Sequence, residues 1–375
     1  MDVKIITCHD VYNYGASLQA YALSNYVKEK GCQIEIVNYL PSYKPCMYDL
    51  TRLTNNGFFG KTAKMMPFLQ PLCGLLRNRH LIKFLGRKAA FDSFKANYLK
   101  LTKENASTFE DLKNLKISCD LMIAGSDQIW NPNYGNGWDE SYYCGFVSDK
   151  VRCISYAASF GISKFEKKFS LFVKRQLEKF SAISVREESG VTFLKEIGID
   201  SVNVLDPVFL LDSKKWSSLT EKKLNFKYLL IYDFHNDNTH LKDTTKKIAD
   251  KLNLKIVAIN EEVTIPYADI NINNAGPIEF LSLIKNADFV IASSFHATAF
   301  SLIFNKDFYV FPLLGHNNSS RITDLLRNLN LSGRYDPIGI STEHIDYDFP
   351  NKKLQEMIFF SKSWLNKQLY RDGQI

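Results

Sequence analysis

The chain predicts an α/β protein of two successive lobes, each a parallel sheet wrapped by helices. Three observations carry that expectation. Short apolar runs alternate with amphipathic helical stretches, each run ends in a small or polar cluster, and the alternation starts afresh after residues 206–225. A length of 375 residues also exceeds one ordinary core and suits two domains of roughly 150 to 200 residues.

The first lobe opens as a βαβ unit. An apolar strand over 3–8 leads into the polar loop HDVYNYGA, an amphipathic helix over 17–30 with Ser17 able to cap it, and a strand over 34–39 after Gly31. Strands follow over 119–125, 153–161 and 182–185, with helices at 165–180 and 187–197. The second series runs from a strand at 228–234 through a helix at 239–252, a strand at 254–259, a helix opened by Pro277 and a strand at 288–294. It continues with a helix at 297–305, a strand at 308–311 and a helix at 320–329. The expected division is 1–212, carrying an insert at 57–100, and 213–351. A last helix over 352–375, with apolar spacing in KKLQEMIFFSKSWLNKQLY, returns across one or both lobes and completes the first.

Composition narrows the function. Hydrophobic residues make up 45% and charged residues 23%, the usage of an ordinary folded protein. The seven cysteines form neither CxxC pairs nor zinc spacings and read as reduced, mostly buried thiols. The N-terminal apolar stretch is too short for an export signal or a membrane span, so a cytoplasmic protein is expected. Of the net charge of +7, much falls in one place: between 60 and 100, nine Lys and Arg face the single acid Asp92. The apolar clusters and cations of 57–91 suit contact with an anionic membrane surface; a helical flap with a solvated basic face is the alternative. No nucleic-acid recognition module accompanies the charge, so nucleic acid is not an expected partner.

Phosphate-loop, GxGxxG, HExxH and GxSxG motifs are all missing, which weakens kinase, dinucleotide oxidoreductase, zinc protease and hydrolase readings. No metal-ligand spacing is visible. The strongest chemical candidate is His296 in SSFHATAFS, directly after a strand and at a helix start, where open α/β sheets bind ligands and where N–H groups attract anions. It is either a general acid or base or a locally bonded histidine. Asn13, Gly15 and Ser17 occupy the equivalent loop of the first lobe, with Gly15 permitting close backbone approach to a ligand. Ser126, Asp127 and Gln128 follow a buried strand with groups that can grip hydroxyls, and Trp130 could stack on a sugar face; turn chemistry alone also favours such residues. Arg186 is a ligand cation or a salt-bridge partner of Glu187 and Glu188. Arg321, near Ser319 and Ser320 in the first turn of a helix, opposes the helix dipole unless an anion joins it.

Taken in order, NYGASLQAYAL, GSDQIWNP, SYAASFG, SVREESG, LDPVFLL, SSFHATAFSLIFNKDF and RITDLL resemble the polysaccharide pyruvyl transferase family over nearly the whole chain. The resemblance implies two Rossmann-like lobes similar to the GT-B glycosyltransferases. It further implies a site in the cleft between the lobes, phosphoenolpyruvate as co-substrate with no cofactor, and pyruvyl transfer onto a sugar. A hexose, galactose or a relative, is the expected acceptor, and the basic insert rather than the resemblance suggests a lipid-linked polysaccharide precursor at the inner face of the membrane. The family histidine maps onto His296 and the arginine of its SVRE segment onto Arg186. Ketal-forming members resemble an Arg-x-His pattern where this chain has Ser294-Phe295-His296, so the missing charge falls to Arg321 or Lys306. On this reading His296 transfers a proton; Arg186, Ser294, Ser320 and Arg321 hold the donor; and Asn13, Gly15, Ser126, Asp127, Gln128 and Trp130 position donor or acceptor. The rival reading is a GT-B-like glycosyltransferase using a nucleotide-sugar donor. The oligomeric state leaves no mark on the sequence.

Overall fold

The computed structural model describes residues 1–43, 84–220, 224–235, 237–260, 264–314 and 320–370. The first lobe contains β1 (Asp2–Ile6), α1 (Tyr14–Glu29), β2 (Gln33–Tyr39), α2 (Leu85–Tyr98), β3 (Leu101–Ala106), α3 (Phe109–Asn114), β4 (Leu121–Ala124), β5 (Arg152–Ser155), α4 (Lys167–Leu177) and β6 (Phe180–Ala182). A short parallel pair, β7 (Ser184–Val185) and β8 (Val202–Asn203), flanks α5 (Glu188–Glu196). All neighbours in the main sheet are parallel, in the order β3-β2-β1-β4-β5-β6.

After α6 (Ser213–Ser218), the second lobe repeats this plan with β9 (Tyr228–Tyr232), α7 (Thr239–Leu252), β10 (Lys255–Ile259), β11 (Ile270–Ile272), α8 (Pro277–Asn286), β12 (Phe289–Ala292), α9 (Phe295–Ile303), β13 (Phe308–Val310) and α10 (Ser320–Asn328). Its parallel sheet runs β11-β10-β9-β12-β13. Helices cover both faces of each sheet, so the central strands are wholly buried, which is why LMIA, YLLIY and FVIA carry no polar alternation.

In both sheets the strand order reverses at the centre, between β1 and β4 and between β9 and β12. Loops leaving the carboxyl ends of those strand pairs diverge and open a crevice. The two crevices supply most of the site described below.

The joint between lobes is packed rather than loose. Asp206 caps a single 3-10 turn, Pro207–Leu210, its side chain accepting from the Val208 N–H at 3.1 Å. Val208 and Phe209 are buried, and the Trp216 indole donates to the Val208 carbonyl at 2.9 Å. Burying an apolar side chain of this size contributes about 1.5–3 kcal/mol, so the turn is anchored by its own residues. The last helix, α11 (Asp348–Leu369), starts beside the second lobe, where Ile345 N–H donates to Asp307 at 2.8 Å. It ends on the first lobe, where Tyr26 donates to Asn366 at 3.0 Å and Tyr370 to the Lys30 carbonyl at 2.7 Å.

Two sequence expectations change. Helix α1 begins at Tyr14, three residues early, because Asn13 is the cap: its side chain accepts from Ala16 N–H at 3.1 Å. Ser17 lies inside the first turn, its N–H donating to the Asn13 carbonyl at 3.1 Å. In the basic insert, residues 57–83 with Lys61, Lys64, Arg77, Arg79 and Lys83 lie outside the described residues. Its described end is not a uniformly solvated basic face. Arg87 is fully buried, its guanidinium 4.5 Å from the Tyr14 ring and donating to the Tyr12 carbonyl at 2.8 Å. Lys88 pairs with Asp92 at 2.6 Å and Lys95 with Asp10 at 2.5 Å.

Candidate functional site

A cavity of about 550 Å³ opens between the lobes. Both strand-order reversals reach it. Asn13 and Ala16 follow β1, Asp127 and Gln128 follow β4, Phe234 and His235 follow β9, and Ser293 to His296 follow β12. Arg321 and Ile322 enter from the first turn of α10.

The sequence forces these groups inward. Helix α9 starts immediately after the buried strand β12, so Phe295 and His296 occupy its first turn with N–H groups facing the crevice. After β4 the backbone turns sharply: Gly125 has φ 130, and a Cβ there would fall 2.2 Å from the Tyr156 carbonyl. Asp127 has φ 68, and its carbonyl accepts from Ser159 at 2.9 Å, which holds this residue at the sheet edge with its side chain at the cavity.

Behind the cavity lies a buried charge cluster. Asp206 Oδ2 accepts a short bond from Arg186 Nη1 and lies 3.5 Å from His296 Nε2. Arg186 Nη2 is 3.7 Å from Asp127 Oδ1. Arg321 Nε is 3.9 Å from Glu187 Oε1, which also accepts from Ser159. The Phe295 ring is near both arginines, 5.1 Å from the Arg186 guanidinium and 5.5 Å from that of Arg321.

Burial opposes ionisation of Asp206, but His296 and Arg186 outweigh it and hold the carboxyl well below its ordinary range. For Arg186 burial acts against the cation, and Asp206, Glu187 and Asp127 overcome it, raising its pKa. Arg321 fares differently. Burial and then the like charge of Arg186 pull it down to about 10 despite the same carboxylates. Arg321 Nε, His296 Nε2 and Arg186 Nη2 are buried without a hydrogen-bond partner. Among the described residues, Arg321 is thus a cation at a cavity wall whose charge is under-compensated, beside the N-terminus of α9; an anion placed there would satisfy both.

Several expected residues fall elsewhere. Arg186 does not line the cavity; it sits behind Phe295 and neutralises Asp206. Ser126 is fully buried, its hydroxyl donating to the Ala157 carbonyl at 2.8 Å, so it shapes the loop and does not face a ligand. Trp130 is fully buried as well, stacked on Tyr143 with centroids 5.3 Å apart and donating to the Tyr142 carbonyl. It cannot offer a face to a sugar. Gly15 makes room for His296 rather than for a ligand: a Cβ there would meet the imidazole. Ser320 starts α10 without lining the cavity, whereas Ser294 lines it. Lys306 is committed to the Ala287 carbonyl at 2.9 Å. Of the two cations offered in place of the missing arginine, Arg321 is the one at the cavity.

Asp206 escaped the sequence reading as a site residue. Its only local signal was an acid before Pro207, the signature of a turn cap. Among the described residues no group of three or more His, Cys, Asp or Glu side chains converges to hold a metal ion.

Solved structures share this two-lobed architecture. S. aureus MnaA in complex with UDP superposes with a TM-score of 0.54 at 10% identity, covering 98% of this chain and 95% of that chain. A provisionally assigned UDP-N-acetylglucosamine 2-epimerase from Listeria monocytogenes gives 0.53 at 8% identity, covering 100% and 97%. The UDP-GlcNAc 2-epimerase of Methanocaldococcus jannaschii gives 0.50 at 12% identity, covering 96% and 92%. At such identities the likeness concerns the fold alone, and that fold is of the GT-B type. The site is therefore that of a GT-B-type protein, set between two Rossmann-like lobes. Family membership comes from the sequence: residues 13–313 match the polysaccharide pyruvyl transferase family, and the chain belongs to it. It is an enzyme of that type. No curated protein matches the chain.

Proposed function

We propose that the chain moves the pyruvyl group of phosphoenolpyruvate onto a galactose-like hexose of a lipid-linked surface or capsular polysaccharide precursor, closing a cyclic ketal and releasing phosphate. The observation that carries this reading is the under-compensated Arg321 guanidinium at the cavity wall, beside His296 and the α9 N-terminus. A carboxylate and a phosphate on one small molecule need such a wall of cation and N–H groups.

The chemistry balances with the groups present. His296 protonates the methylene carbon of the donor, making C2 electrophilic, with Asp206 Oδ2 3.5 Å behind its Nε2. One sugar hydroxyl adds to C2 and yields its proton to the His296 imidazole left neutral by that transfer. A second hydroxyl displaces phosphate from C2, and its proton leaves with the phosphate. Arg321 and Ser294 hold the donor anions, Arg186 keeps Asp206 charged, and Asn13, Asp127 and Gln128 meet the acceptor.

The lipid-linked acceptor places the enzyme at the cytoplasmic face of a membrane. No helix among the described residues is long and apolar enough to cross one, and the cations of 57–83 are the proposed peripheral contact. Because Arg87 is buried, the informative substitutions are Arg77→Gln and Arg79→Gln. Reduced partitioning onto anionic vesicles supports the contact, and unchanged partitioning rejects it.

The reading is tested by assaying phosphate release from phosphoenolpyruvate against galactosyl and other hexosyl lipid-linked acceptors, with mass spectrometry of products. Acceptor-dependent release with the mass gain of a pyruvate ketal supports it. Nucleotide release from a nucleotide sugar, with no phosphate from phosphoenolpyruvate, transfers the assignment to a glycosyltransferase.

A further inference from the structure

The cavity wall is chemically uneven. On the second lobe it carries Arg321 and His296; on the first lobe, one stretch built from Tyr43, Tyr134, Gly135 and Asn136 is uncharged. Tyr43 and Tyr134 are 45% and 55% exposed, whereas Tyr142 and Tyr143 nearby are fully buried.

Tyr43 is exposed yet fixed. Its hydroxyl donates to Asp139 Oδ2 at 2.8 Å, the oxygen that also accepts from Tyr39 at 2.7 Å. Its ring edge packs on Gly135, where a Cβ would come within 2.8 Å of Cδ2. The neighbouring amide of Gln128 is oriented too, its Oε1 accepting from Asn131 Nδ2 at 2.7 Å. A rigid ring with exposed surface and adjacent amides suits a pyranose, whose C–H face is apolar and whose hydroxyls need hydrogen bonds; pre-fixing the ring lowers the ordering cost of binding.

Resting on the transfer reading above, we propose that Tyr43 and Tyr134 form the acceptor platform and that it selects neutral hexoses over hexuronates. The selection follows from charge. Asp127 lines the same cavity, Asp139 stands behind Tyr43, and among the described residues the 43 and 134–136 wall carries no cation to receive a sugar carboxylate.

The full chain is titrated with methyl β-galactopyranoside, methyl galacturonoside and phosphoenolpyruvate by calorimetry. Tyr43→Ala and Tyr134→Ala are each expected to weaken galactoside binding about tenfold while phosphoenolpyruvate affinity stays within about twofold. Tyr43→Phe, which keeps the ring, is expected to remain within about threefold of wild type and serves if the alanine variant misfolds. Wild-type chain that binds no galactoside, alanine variants with unchanged galactoside affinity, or galacturonoside bound as tightly as galactoside each overturn the inference. Failure of the transfer reading is separate: it is the absence of phosphate release by wild type with ring-dependent sugar binding intact.

Discussion

His296 occupies the space that a side chain at Gly15 would fill: a Cβ built at Gly15 falls 1.9 Å from His296 Nδ1 and 2.3 Å from Cε1. The first turn of α1 in one lobe is thereby moulded around the imidazole at the first turn of α9 in the other. The place of the imidazole is therefore set by the first turn of α1 in the opposite lobe.

Gly15→Ala separates helix stability from ring placement. Alanine is the better helix former by about 1 kcal/mol, while overpacking costs about 1–3 kcal/mol. The ring can yield toward the open cavity, so the variant is expected to fold with a modest change in Tm and to lose about 100-fold in kcat. Adding Gly15→Ala to His296→Ala is expected to cost little more, since the clash then has no partner. Wild-type phosphate release by Gly15→Ala would refute the steric linkage.

His296→Ala is expected to lower kcat by about 10²–10⁴ with little effect on the KM for phosphoenolpyruvate, the pattern of a proton-transfer group rather than a donor clamp. Steady-state phosphate release checks it. Retention of wild-type turnover removes His296 from the chemistry.

Asp206→Asn leaves Arg186 without its closest counter-charge in a buried site, a change that costs about 3–5 kcal/mol in comparable cases. The pH dependence follows from sign. Because the folded-state pKa of Asp206 lies below the ordinary carboxylate value, its contribution is complete above that value and is lost as pH falls toward the folded one. Thermal unfolding between pH 3 and 7 should therefore show a shallower acid limb in the variant. An equally steep limb assigns the acid sensitivity to other carboxylates.

Much of the fold could be read from the chain because β4, β9 and β12 are unbroken apolar runs, and burial on both faces makes that pattern visible. His296 and Asn13 were legible for the same reason: each follows a strand end where the topology opens a crevice. What remained hidden depends on partners distant in sequence. Asp206 looks like a turn cap until Arg186 and His296 close on it. Trp130 was visible as an aromatic after a strand, but its direction is set by Tyr143, thirteen residues on. Arg87 read as one of many surface cations, and only the Tyr12–Tyr14 loop shows why it is buried.

Arg321 is the group whose substitution should most directly report donor binding. Its pKa of about 10 records a buried cation opposed by desolvation and by Arg186. A bound anion reverses that balance and raises the pKa. At pH 7 the guanidinium is protonated with or without donor, so binding there should take up no proton through this residue. Phosphoenolpyruvate should raise the Tm of wild type by mass action. Arg321→Ala should abolish that rise and increase the KM for the donor by about 10–100-fold, equivalent to about 1.4–2.8 kcal/mol. Arg321→Lys should recover part of it, since a point charge replaces the cation but not the planar fork. Calorimetry in buffers of different ionisation enthalpy measures the proton count, and a donor affinity unchanged by Arg321→Ala would move the anion site away from α10.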